Sequence, residues 1–153
     1  MLSPTLCGSS KYQPCSMHRT DVDDAFDSDE VLFRRVWPRY VLRRKLLAQS
    51  FRRLHETEES VNRSKYSSSR CVLCDEIYGR DFSRVCAVMA VPVKDLPGCH
   101  VVVKHSPRAT NYSHCDLGLE SAAYVDEEQE ARIKQLLADA MEEAPLPACS
   151  HHP

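Results

Sequence analysis

Glycine is scarce in this chain, at 4 residues in 153, and aromatic residues make up only 7%. Phosphate-cradling glycine-rich loops are correspondingly absent, which removes the commonest nucleotide-binding fingerprints. Neither sign of charge prevails: 20 Lys and Arg stand against 22 Asp and Glu, for a formal charge of -2 and a pI near 6.4. That balance argues against wholesale attraction to nucleic acid or anionic membranes. Long hydrophobic runs are missing too, and nothing approaches the roughly 18 apolar residues of a membrane span. The opening "MLSPTLCGSSKYQPC" lacks a basic region followed by an apolar one, so no secretory signal is read and a cytoplasmic location is expected.

What the chain does have is cysteine, at positions 7, 15, 71, 74, 86, 99, 115 and 149. An even number invites a disulfide framework, but that inference needs an exported protein, and reduced thiols are the expectation here. With 42% hydrophobic residues the chain can build one core, and its length suits one domain.

Three parts are expected. Residues 1–28 are rich in Ser, Pro and Thr and then in Asp, and "DVDDAFDSDE" reads as the end of a disordered acidic arm. Residues 29–143 form the domain, and 144–153, "APLPACSHHP", form an unstructured tail. Within the domain, "EVLFRRVWP" is a first strand stopped by Pro38. Residues 39–55 place Leu42, Leu46 or Leu47, Phe51 and Leu54 at helical spacing, so that stretch reads as an amphipathic helix or as a loop. "RCVLCDEIY" reads as a strand, "SRVCAVMAV" as a central strand buried on both faces, "VKDLPG" as one helical turn and "CHVVVKH" as another strand. "NYSHCDL" reads as an edge strand. Asp126 then caps a helix with Glu127, Glu128 and Glu130 in its first turn and Ile133, Leu136, Leu137 and Ala140 along one stripe. The expectation is an α+β domain with a mostly antiparallel or mixed sheet and a C-terminal amphipathic helix.

Several groups of residues invite a chemical reading. Cys71 and Cys74 have the C-x2-C spacing of a zinc knuckle, with Cys99 beside His100 or His105, or His114 with Cys115, as a second pair. Bulky residues fill that knuckle, and adjacent residues of a strand point to opposite faces, so His114 and Cys115 are not expected to share an ion. The same alternation separates Cys115 from His114 as a nucleophile and base. The basic run is more informative. Arg34, Arg35, Arg39, Arg43, Arg44, Lys45, Arg52 and Arg53 are interleaved with Trp37, Tyr40 and Phe51, with no acid between Val31 and His55. This is the composition of a surface that holds phosphates and stacks bases. A solvated face, or one neutralised by the acidic arm, explains the same composition without a ligand.

Taken together, "SDEVLFRRVWPRYV", "SFRRL" with "SVNRSKYSS", "VCAVMAVPVKDLPG" and "NYSHCDL" followed by "DEEQEARIKQLL" resemble a loose group of small uncharacterised bacterial proteins, over about residues 28 to 140. The resemblance implies a cytoplasmic single domain, in some cases accompanying bacterial defence or toxin-type systems. It makes Arg34, Arg35, Asn111 and His114 the polar positions expected to form a pocket. Cys71 and Cys74 are not part of that pattern, and the acidic arm and the many cysteines depart from it.

The leading expectation is therefore an accessory or binding module without a cofactor. Arg34, Arg35 and Trp37 would present a surface for a phosphate-bearing or acidic partner, such as a nucleotide, a nucleic acid or a co-encoded protein, with Asn111 and His114 beside it. The first alternative is a small enzyme acting on a nucleotide-like substrate, with His114 as general acid or base and Arg35 on a phosphate. The second is a zinc-stabilised interaction module built on Cys71 and Cys74.

Overall fold

A computed structural model describes residues 19–75, 80–81, 86–98, 100–109, 111–120 and 125–145, with the backbone alone described at 71, 73–75 and 80–81. The strands are β1 (Val31–Val36), β2 (Val41–Leu42), β3 (Lys45–Leu46), β4 (Glu59–Arg63), β5 (Cys74–Asp75), β6 (Arg80–Asp81), β7 (Ala87–Pro92), β8 (Val101–His105), β9 (His114–Leu119) and β10 (Glu142–Glu143). Two α-helices join them, α1 (Ser69–Leu73) and α2 (Glu127–Ala140). Eight of the strands form one sheet in the order β2-β3-β10-β7-β1-β4-β9-β8, every neighbouring pair antiparallel, while β5 and β6 pair as a separate two-stranded sheet. The fold is α+β, with a single C-terminal helix.

Alternation along the strands gives the sheet two faces. Leu32, Val36, Val61, Met89, Val91, Cys115 and Leu117 point to the main core, where Ile133, Leu137 and Ala138 of α2 cover them. On the opposite face Val88, Val72 and Ala144 form a smaller cluster with Phe33, Cys86 and Ala90. The strand read from "SRVCAVMAV" thus buries residues on both faces, as its continuous apolar run implies. Asp126 caps α2 through a reciprocal pair of bonds with Gln129, a capping box. The stripe of α2 is shifted from the sequence reading: Leu136 is 42% exposed, and Ala138 takes its place inside.

Four local expectations are corrected. The stretch 39–55 is no helix: Val41–Leu46 is a hairpin, followed by a 3-10 turn at Ala48–Ser50. Leu46, Phe51 and Leu54 are buried all the same, from a backbone whose spacing only imitates a helical stripe. The start of "RCVLCDEIY" is helix α1, because a helical turn drops Val72 onto Val88 and lets the Ser69 hydroxyl donate to the Pro145 carbonyl. Strand β9 lies between β4 and β8, so β8 is the edge. Residues 144–145, expected in the tail, pack on the sheet, with the Ala144 N–H donating to the Val88 carbonyl.

Residues 19–28, expected within a disordered arm, lie against the sheet because of Arg63. Its side chain is wholly buried. Its guanidinium donates to both Glu30 carboxylate oxygens, at 2.7 and 2.9 Å, and to the carbonyls of Asp23 and Ala25. The Phe26 ring lies 4.1 Å from its centre. Burial works against the charged form, but Glu30 and then Asp23 more than compensate, and the guanidinium is held above its ordinary value. The Asp23 carboxylate, bonded by the Tyr66 hydroxyl and Lys65, lies well below the usual carboxylate range. The acidic segment therefore serves Arg63 and its neighbours, and does not neutralise the basic run.

Glu30→Ala leaves the Arg63 charge buried without its main partner and is expected to cost about 3–5 kcal/mol in urea denaturation. Lys45→Ala removes only the exposed Lys45–Glu142 bridge and is expected to cost less than about 1 kcal/mol.

Candidate functional site

The basic run divides sharply once folded. Arg34 is 6% exposed and lies on the core face of β1. Its guanidinium donates to the Ser50 hydroxyl at 3.0 Å, the Ser50 carbonyl at 2.8 Å and the Glu59 carboxylate at 2.9 Å, above the ring of Phe51. It ties β1 to the loop after the hairpin and offers no surface to a ligand, which corrects its expected role. Arg35 is exposed on the other face and reaches toward the Val72 carbonyl at 3.5 Å. Arg53 pairs with Glu56 and Lys45 with Glu142.

Of the rest of the run, Arg52 is exposed beyond the hairpin, and the others lie outward in one short segment. Trp37 is 53% and Leu42 60% exposed, the Arg39 guanidinium sits 4.9 Å from the Tyr40 ring, and Arg43 and Arg44 form the tip of the β2–β3 hairpin. Both tip arginines have left-handed backbones, with φ of 49° and 67°. A two-residue hairpin turn of this kind normally carries Asn-Gly, and each L residue with a Cβ there costs roughly 1–2 kcal/mol. Among the described residues neither Arg43 nor Arg44 joins a salt bridge.

Asn111 and His114 come together elsewhere. Register pairs Phe33 with Asn62 and Asn62 with His114, so His114 stands on the face opposite Arg34, and the two do not meet. Asn111 Nδ2 donates to Asn62 Oδ1 at 2.8 Å, and the Ser113 hydroxyl lies within bonding distance of the carbonyl oxygens of both asparagines. His114 is buried. Its Nδ1 lies 2.9 Å from both the Ser106 carbonyl and the Ser106 hydroxyl, and the carbonyl, which can only accept, favours the proton on Nδ1. Nε2 is then an acceptor, and Ser60 Oγ lies 3.1 Å from it. Asp116 Oδ1 is 3.9 Å from the same nitrogen. Burial, helped by Arg108, pushes the ring below its ordinary value, although the Ser106 bond and Asp116 oppose this.

Cys115 points the other way, into the core, where burial pushes its thiol up to about 12, so it supplies neither a nucleophile nor a ligand. The side chains of Cys71 and Cys74, and Cys99 entirely, lie outside the described residues. Among the described residues no group of three His, Cys, Asp or Glu converges to hold a metal, and no helix is long and apolar enough to cross a membrane. His105 is occupied: Nδ1 accepts from the Asp23 N–H and Nε2 donates to the Tyr112 carbonyl. No family model matches the chain, and no curated protein or solved structure matches it.

Sequence reading missed Ser60, Asn62 and Ser106. The signal available was the alternation of Ser60-Val61-Asn62, polar residues flanking a core valine, which marks a strand with one polar face. Nuclear magnetic resonance of the His114 ring tests this geometry. It is expected to show the Nδ1–H form and a titration below 6.5. Because the folded state resists protonation, the unfolded chain takes the proton first as pH drops. The contribution to stability is complete above about pH 6.5 and is lost as pH falls below it.

Proposed function

We propose that this chain is a cytoplasmic binding module that grips a single-stranded nucleic acid through the hairpin of β2 and β3 and the turn before it. The observation that carries the reading is the pair of exposed arginines held in left-handed backbone at Arg43 and Arg44. Strain persists only where the surrounding structure enforces it, and such positions cluster where a protein meets a ligand. Here it fixes the backbone of two consecutive exposed arginines at the hairpin tip. Planar guanidiniums suit phosphate oxygens better than ammonium groups do, because they donate in pairs.

Trp37 supports a nucleic acid over an acidic protein. Its exposed ring precedes the hairpin in the same segment, and base–aromatic stacking contributes about 1–3 kcal/mol per base without sequence preference. Arg39 and Arg35 extend the cationic character of the segment, while Arg34 acts beneath it as support. The net charge of -2 is that of the whole chain, and Asp23, Glu30 and Glu130 are paired with Arg63, Lys65 and Lys134 on other parts of the fold.

Trp37 is the single tryptophan, so its fluorescence reports on this surface alone. A mixed-sequence single-stranded oligonucleotide is expected to quench it, with affinity falling as salt rises. The double variant Arg43→Glu, Arg44→Glu is expected to lower affinity at least tenfold and to flatten the salt slope by about 0.7 for each phosphate it no longer neutralises. No quenching at low salt would overturn the reading, and quenching by an acidic polypeptide in its place would transfer the surface to a protein partner.

A further inference from the structure

The polar face of β4 and β9 carries a second function, independent of the basic hairpin. We propose that Ser60 is a nucleophile activated by His114, and that the face around them hydrolyses carboxylic esters. Ser60 is exposed, whereas the imidazole beneath it is buried and fixed. The Ser106 carbonyl favours the ring proton on Nδ1, and the Nε2 lone pair is then aimed at a hydroxyl 3.1 Å away. A nucleophile, a base within hydrogen-bond reach and a third group orienting that base are the parts acyl transfer needs. The backbone carbonyl here fills the place a carboxylate holds in the familiar serine triad.

Two further features bear on the chemistry. Asn62 lies two residues from Ser60 on the same face and is the register partner of His114. Its Oδ1 is occupied by Asn111, while its Nδ2 makes no hydrogen bond among the described residues and is not buried without a partner. Asn62 thus brings an amide donor to the face that carries Ser60. Charge is supplied by Lys104, the exposed register partner of Asp116, and by Arg108, close enough to bear on the His114 ring. Asp116, the register partner of Ser60, opposes them with a carboxylate 3.9 Å from Nε2, so the face is of mixed charge.

In the first step Ser60 Oγ bonds to the acyl carbon and its proton passes to Nε2. The ester C–O bond then breaks, and Nε2 returns the proton to the departing oxygen, leaving acyl-Ser60 and an alcohol. A water, deprotonated by Nε2, attacks the acyl carbon, and the proton goes to Ser60 Oγ as the acid leaves. The sum is ester plus water to acid plus alcohol.

The test treats the full chain with a fluorophosphonate probe and maps the labelled serines by mass spectrometry. Ser60 is expected to label at least about 100-fold faster than the other serines, the low end of general-base assistance. The rate is expected to rise with pH through an inflection below 6.5 as the ring loses its proton. Ser60→Ala, on the surface, is expected to keep the circular dichroism spectrum and lose the label. His114→Gln is expected to drop the rate to background, and if that variant does not fold, the pH profile of the natural chain decides. Para-nitrophenyl acetate is expected to be hydrolysed by the natural chain and not by Ser60→Ala. Ser60 labelling no faster than other serines, or a rate that does not fall as the pH is lowered below 6.5 over the range in which the chain stays folded, would overturn the assignment.

Discussion

A guanidinium that has no contact with water organises one end of this molecule. Arg63 cannot shed its proton, and an uncompensated buried cation costs several kcal/mol, so the chain folds only if acceptors come to it. They come from the acidic segment: a carboxylate from Glu30 and two backbone carbonyls from Asp23 and Ala25. Once those are in place, Asp23 meets Lys65 and Tyr66, its N–H meets His105, and Tyr66, His105 and Tyr112 close into a cluster of edge and stacked rings. An apparently featureless stretch is thereby given a definite path.

The same device recurs twice. Arg34 and Glu59 hold the loop after the β2–β3 hairpin to the sheet, with Ser50 and the Arg52 N–H as the other partners. Glu130 of α2 accepts from the Leu54 N–H and is bonded by His55 and Lys134. Burial pushes the Glu130 carboxyl up, but those bonds outweigh it and hold it low. In each case an irregular segment is secured by a buried charge, because a short segment has too little apolar surface to secure itself. The exposed arginines of the hairpin, and the exposed Ser60 with His114 buried beneath it, lie outside this internal pairing.

Regular parts of the fold were legible in the sequence for simple reasons. β1, β7, β8 and α2 carry strong periodicity or clear stop signals, and Asp126 announces its cap. The hairpin at 41–46 was not, since Arg43-Arg44 replaces the usual turn residues and Leu46, Phe51 and Leu54 fall at a spacing a helix would also use. At the sites, alternation correctly separated His114 from Cys115, and the Asn111–His114 element does gather on one face. Arg34 was misplaced because a basic run carries no mark of which member turns inward. Its partner Glu59 is 25 residues away. Ser60 and Ser106 were invisible as partners of His114, being contacts between different strands and loops.

Native-state amide hydrogen exchange tests the central claim most directly. If Arg63 truly binds the acidic segment into the fold, the Asp23 N–H that donates to His105 and the Glu30 N–H that donates to the Asp27 carbonyl should open with the same free energy as the amides joining β1 to β7. Rapid exchange at Asp23 and Glu30, while the amides of that strand pair stay protected, would contradict it.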